Sequence, residues 1–177
     1  MSQSVQEHRR RAPSSVGVFL ITCSSTRYSA LREGHAVPDE SGDLAAELVT
    51  RFGHRVVGRV LVPNVAEDLR KTVLEASRTE SVDLIVVLGG TGLSARDISV
   101  ETVQSMFEKS IPGFGELFRR LSYEAVGLAA MLSRAVAGTI SGKAVFVTPG
   151  SSQAVALAFE KIILPEVGHL VHHIRER

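Results

Sequence analysis

The chain of 177 residues has a single cysteine, Cys23, so no disulfide can form within it and a cystine-stapled scaffold is excluded. Long apolar runs are also missing. The longest, around residues 16–21 and 84–88, are strand-sized and fall far short of the roughly 20 residues needed to cross a bilayer. The net charge is only +1, and Arg9, Arg10 and Arg11 against Glu7 concentrate the positive excess near the N-terminus. The rest of the chain is close to neutral, which excludes a general polyanion-binding face. Any anion site must therefore be local, made of backbone amides and a few side chains. There is no internal repeat, and no apolar segment resembling a secretory signal follows the arginines. The expected arrangement is a flexible basic tail over 1–15 and one domain over 16–177, located in the cytoplasm, with neither a membrane nor nucleic acid as partner.

What is present is an alternation of strand-like and helix-like segments. Residues 16–23 form a β-branched run that opens onto a polar cluster at Ser24. Residues 24–40 are polar and rich in breakers, and read as a functional loop or lid. Leu44, Ala45, Leu48, Val49 and Phe52 recur with helical spacing, and Gly53 supplies a C-terminal stop. A strand over 54–62 closes at Pro63, and Val65, Leu69, Val73 and Ala76 mark a second helix. The apolar strand 83–88 then runs straight into Gly89-Gly-Thr-Gly92. Helices are expected over 100–108, 115–123, 153–163 and 165–175, and a strand over 143–148. This order predicts an α/β fold: a three-layer α/β/α arrangement with a mostly parallel sheet.

In such sheets ligands bind outside the carboxyl ends of the strands. Three segments fall there: Thr22, Cys23, Ser24 and Ser25; Gly89, Gly90, Thr91 and Gly92; and Thr148, Pro149, Gly150, Ser151 and Ser152. Each is small, polar or glycine-rich, so backbone amides can approach an anion unobstructed. The glycine loop does not match the dinucleotide fingerprint. Gly138-Thr-Ile-Ser-Gly-Lys143 is too short for a P-loop and leads into a strand. Asp97, just before a helix, can cap that helix or hold Mg²⁺ beside the glycine loop, because Mg²⁺ takes one or two carboxylates plus phosphates and water. Asp39 and Glu40 suit the start of the first helix. Cys23 reads as a small packed residue rather than a nucleophile. His169, His172 and His173 lack the pattern of a metal site.

Four segments, Leu88-Gly-Gly-Thr-Gly-Leu-Ser-Ala-Arg-Asp97, Pro112-Gly-Phe-Gly-Glu116, Ser133-Arg-Ala-Val-Ala-Gly138 and Thr148-Pro-Gly-Ser151, resemble in order and spacing the MoaB/MogA family of molybdenum cofactor biosynthesis. The similarity spans nearly the whole body of the chain. It implies a molybdopterin-binding fold and molybdopterin adenylyltransferase activity with Mg²⁺ and ATP, in a homo-trimer or hexamer. By the same resemblance Gly89, Gly90, Thr91 and Gly92 cradle the pterin phosphate, Asp97 is an essential acid and metal ligand, and Ser24, Glu116, Ser133 and residues 149–152 complete the pocket. Asp39, Ser41 and Gly42 match the family's D-x-S-G segment. One departure stands out: Val62-Pro-Asn64 carries an amide where active members commonly have aspartate. Asn64 can offer its oxygen but cannot act as a base. A non-catalytic pterin-binding or scaffolding role is thus the alternative, with a CinA-like nucleotide hydrolase domain behind it.

Overall fold

The structure, a computed structural model, describes residues 12–176. The arginines of the basic tail lie outside the described residues. Just before the first strand, Ala12 and Pro13 are half-buried, and the Pro13 carbonyl comes so close to Gly168 that a Cβ there would sit 2.9 Å from it.

The described residues form a six-stranded sheet in the order β2-β1-β3-β6-β5-β4, with β1 at Gly17–Cys23, β2 at Arg55–Val62, β3 at Leu84–Leu88, β4 at Lys109–Ser110, β5 at Val136–Ile140 and β6 at Lys143–Thr148. The four strands β2, β1, β3 and β6 are parallel. The other two pair antiparallel at the far edge. The helices are α1 (Ser25–Arg32), α2 (Glu40–Arg51), α3 (Ala66–Arg78), α4 (Ser99–Gln104), α5 (Pro112–Val126), α6 (Ser152–Ala158) and α7 (Leu164–Arg175). The three-layer α/β/α arrangement is as expected.

Strand periodicity accounts for the two cores. Alternate residues of a strand face opposite sides of the sheet, so Leu84, Val86 and Leu88 join Leu20 and Phe146 on one face, packed by α2, α5 and the α6–α7 segment. Ile85 and Val87 join Ile21, Val145 and Val147 on the other, packed by Leu69 and Val73 of α3 and Val100 and Val103 of α4. β3 is buried along its whole length, which is why it reads as an unbroken apolar run.

Several boundaries differ from expectation. The segment read as a loop over 24–40 begins with α1, whose N-cap is Ser24. None of its residues is buried, so it lacks the apolar stripe that would reveal a helix. The helix expected over 100–108 ends at Gln104, and the one expected over 115–123 runs from Pro112 to Val126. Proline at the start of a helix costs no hydrogen bond, and Pro112 begins α5 rather than breaking it. β4 and β5 were not anticipated. The expected helices over 153–163 and 165–175 are one continuous run, joined by a π turn at Phe159–Ile163. That turn absorbs the mismatch in the hydrogen-bond ladder ahead of Pro165. The rejected P-loop is a β-hairpin: Ser141 and Gly142, with φ of 50° and 71°, turn the chain from β5 into β6, as two-residue hairpin loops do.

Candidate functional site

The strand order puts a switch point between β1 and β3, where successive connections leave in opposite directions and open a crevice at the carboxyl ends. The three expected loops meet there. Gly89 and Gly90 have consecutive positive φ, 91° and 64°, a conformation glycine adopts without steric cost. Close packing excludes a side chain at both. A Cβ on Gly89 would lie 2.8 Å from the Cys23 carbonyl, and one on Gly90 would lie 2.4 Å from Ser99 Oγ. On the other side, a Cβ on Gly150 would be 3.1 Å from Gly89 Cα, so the loops after β3 and β6 touch through their backbones.

Hydrogen bonds hold this arrangement. The Gly89 amide donates to the Thr148 carbonyl at 3.0 Å, and the Ser99 amide to the Gly90 carbonyl at 2.9 Å. Arg134 Nε donates to the Thr91 carbonyl at 3.0 Å while its guanidinium pairs with Glu101, whose carboxyl this pairing holds below the usual range. Among the described residues the amides of Gly90 and Thr91 have no partner. Two adjacent amides in such a turn form a concave donor pair suited to a phosphate oxygen.

The start of α2 joins the same group. Asp39 accepts from the Gly42 amide at 3.1 Å as the N-cap and from the Thr22 hydroxyl at 2.7 Å. Gly42 is needed because a Cβ would sit 2.1 Å from the Asp39 carboxylate. The Ser41 hydroxyl donates to the Gly150 carbonyl, linking α2 to the loop after β6.

Asp97 does not cap α4. The N-cap position belongs to Ile98, without a side-chain bond. The Asp97 carboxylate instead accepts from the Ser94 hydroxyl at 2.6 Å and the Ser94 amide at 3.1 Å. These bonds, led by the hydroxyl, hold its pKa below the ordinary carboxylate value. The same carboxylate is so close to Gly92 that a Cβ there would lie 2.6 Å from Oδ2. It is therefore an ionised, partly exposed carboxylate at the rim of the glycine loop.

Other expected residues separate. Ser133, Pro149 and Ser151 line one cavity of about 130 Å³ with Phe118 and Ser122. Ser151 N-caps α6, accepting from the Ala154 amide at 3.3 Å, and Ser152 is exposed beside it. Glu116 is elsewhere: it lines a different cavity, of about 210 Å³, with Arg119 and Gln104. Ser24 caps α1, its hydroxyl accepting from the Arg27 amide at 3.4 Å. Asn64 is not a helix cap, since Val65 holds the N-cap of α3. Cys23 is 3% exposed, and burial pushes its thiol pKa up, outweighing the nearby Ser99 hydroxyl that pulls it down. Arg134 was not singled out as a contributor; its partner Thr91 lies 43 residues away in sequence.

The pattern of a family described as "Probable molybdopterin binding domain" matches residues 19–169. Molybdenum cofactor biosynthesis protein B of Bacillus cereus is 43% identical over 175 residues, covering 98% of this chain and 99% of its own length. The chain belongs to the MoaB family. The protein of the same name from Bacillus subtilis is 42% identical over 98% of both chains. A crystal structure of molybdenum cofactor biosynthesis protein B superposes with a TM-score of 0.86 at 42% identity, over 94% of this chain and 99% of that one. The tungsten cofactor synthesizing MoaB of Pyrococcus furiosus gives 0.82 at 37%, over 93% and 100%. A CinA protein of Thermoplasma acidophilum shares the fold at 16% identity, with a TM-score of 0.56, and carries no argument about activity. As a MoaB-family protein this chain is a molybdopterin-binding domain of molybdenum cofactor biosynthesis, and among the described residues no helix is long and apolar enough to cross a membrane.

Proposed function

We propose that this MoaB-family protein binds molybdopterin through its phosphate at the glycine loop and adenylylates it with ATP. The observation that carries the reading is the glycine loop itself, with the Gly90 and Thr91 amides unpartnered among the described residues and the ionised Asp97 carboxylate packed against Gly92. An oxygen of the pterin's terminal phosphate attacks the α-phosphorus of ATP. A phosphoanhydride to AMP forms, the bond between the α-phosphorus and the bridging oxygen breaks, and pyrophosphate leaves. Such transfer needs positioning and charge stabilisation more than covalent help from the protein.

The donor set fits Mg²⁺ in one form: a single carboxylate, Asp97, with phosphates and water supplying the remaining ligands. When bound, the ion would neutralise the negative charge that builds up on the transferring phosphates. The glycine-loop amides orient the attacking phosphate, and the Ser94 bonds keep Asp97 deprotonated. Pyrophosphate release from ATP that requires both molybdopterin and Mg²⁺ is the expected result; release that is indifferent to the pterin contradicts it.

A second reading, binding without turnover, is favoured by the amide at position 64, whose oxygen is turned towards Cys23. Homo-trimers or hexamers are part of the proposal. Leu128 and Met131, each 78% exposed, provide apolar surface for another copy to cover.

A further inference from the structure

Three segments meet beneath Gly90: the end of β1, the loop after β2 and the start of α4. A Cβ on Gly90 would lie 3.3 Å from both Asn64 Oδ1 and Cys23 Sγ, in addition to the closer Ser99 hydroxyl. Cys23 Sγ is 3.0 Å from Asn64 Oδ1 and 3.6 Å from the Pro63 carbonyl. The Asn64 backbone N–H donates to Ser25 Oγ at 2.8 Å, which fixes the main chain that carries the amide.

The buried thiol keeps its proton, and it has one hydrogen to give. Of its two acceptors Asn64 Oδ1 is the nearer, at 3.0 Å against 3.6 Å for the Pro63 carbonyl, so that hydrogen goes to the amide oxygen. This settles which end of the carboxamide faces inward, the point on which an asparagine is otherwise ambiguous. Nδ2 is left on the opposite side. It has no partner among the described residues and is not one of the buried unpaired groups, so it reaches solvent. The exposed Nδ2 belongs to the same carboxamide whose oxygen would lie 3.3 Å from a Cβ on Gly90, which sets this donor beside the glycine loop.

We propose that Asn64 is a fixed N–H donor to the phosphate held at the glycine loop, and that Cys23 is the positioning residue that orients it. This deepens the reading of the cleft given above and rests on it. Position 64 then faces an anion rather than a cation: it adds a third donor to those of Gly90 and Thr91.

The test is calorimetric titration of the full chain with inorganic pyrophosphate in the presence of EDTA, with the Asn64 side-chain ¹⁵N–¹H₂ signals followed by NMR in the same titration. Asn64→Asp, nearly the same shape, removes the donor and adds a like charge, so affinity should fall about tenfold or more. Cys23→Ala, which frees the amide to turn, should weaken binding by about threefold. Cys23→Ser, whose hydroxyl still donates, should restore it. In the parent protein the Asn64 amide protons should shift on binding, a readout that needs no variant to fold. An Asn64→Asp protein that binds pyrophosphate as tightly as the parent, or Asn64 signals that stay unmoved while the parent binds, overturns this inference alone. A parent that binds no pyrophosphate overturns the cleft reading and this inference with it.

Discussion

The hydroxyl of Ser41 donates to the carbonyl of Gly150, tying the first turn of α2 to the loop after β6, across 109 residues of sequence. Ser41 is buried, so the Gly150 carbonyl has no ready substitute if the hydroxyl is lost. Ser41→Ala should therefore cost about 1 kcal/mol in urea denaturation. It should weaken molybdopterin binding by more than that stability loss alone predicts, because Gly150 is packed on Gly89. Equal affinity in the variant would detach this bond from the site.

The glycine loop makes a second prediction with a built-in control. Gly34 and Gly90 both have positive φ, 83° and 64°, but a Cβ at Gly34 meets nothing within 4 Å. Substitution to alanine should cost both proteins about 1 kcal/mol of backbone strain. Only Gly90→Ala should lose pterin affinity, since its Cβ would also displace Ser99 and Asn64. Parallel thermal melts and binding titrations of the two variants separate strain from function; matching affinities would remove Gly90 from the site.

Why some of this was legible in sequence and some was not follows from its physical origin. The run 84–88 followed by Gly89-Gly-Thr-Gly92 declares itself because a strand buried on both faces is continuously apolar and a close-approach turn needs glycine. Helix α2 is equally plain, with Ala45, Leu48 and Val49 on one face and Asp39 as its cap. By contrast α1 buries nothing, so its sequence carries no stripe. β5 has Gly138 at its centre, pressed against Phe107, and its Val-Ala-Gly-Thr-Ile sequence lacks the bulk that marks a strand. The glycine loops were visible, but not their contact with each other. Arg134 on Thr91, and Cys23 on Asn64, are pairings over 43 and 41 residues that only the folded chain brings together. Glu116 carried the family's motif but lies in a different cavity from Ser133.

Acid behaviour follows from the Ser94–Asp97 pair. The folded pKa of Asp97 is below its ordinary value, so its contribution to stability is present above the ordinary carboxylate range and is lost as pH falls through the lowered value. Ser94→Ala removes the leading cause of that lowering. The acid limb of the pH–rate profile should then move to higher pH, while activity at neutral pH changes little. An unmoved limb would mean that another group sets it.

His54 predicts a separate dependence away from the site. The Val16 amide points at its Nδ1 at 3.4 Å, which requires a neutral ring nitrogen, and burial pushes its pKa below the ordinary 6.5. The folded state thus resists protonation that the unfolded chain accepts. Stability should be fully present above pH 6.5 and decline as pH drops from there through the folded value. In His54→Gln, denaturation curves across that window should be flatter; an unchanged slope would place the dependence elsewhere.

The most direct test of the account is transfer of label from α-³²P-ATP to molybdopterin by the parent protein and by Asp97→Asn, with pterin affinity measured for both. The amide keeps the size of the side chain but removes the charge that would attract Mg²⁺. Labelled adenylylated pterin is expected from the parent and none from Asp97→Asn, with similar pterin affinity in the two. Normal magnesium-dependent labelling by Asp97→Asn would contradict it.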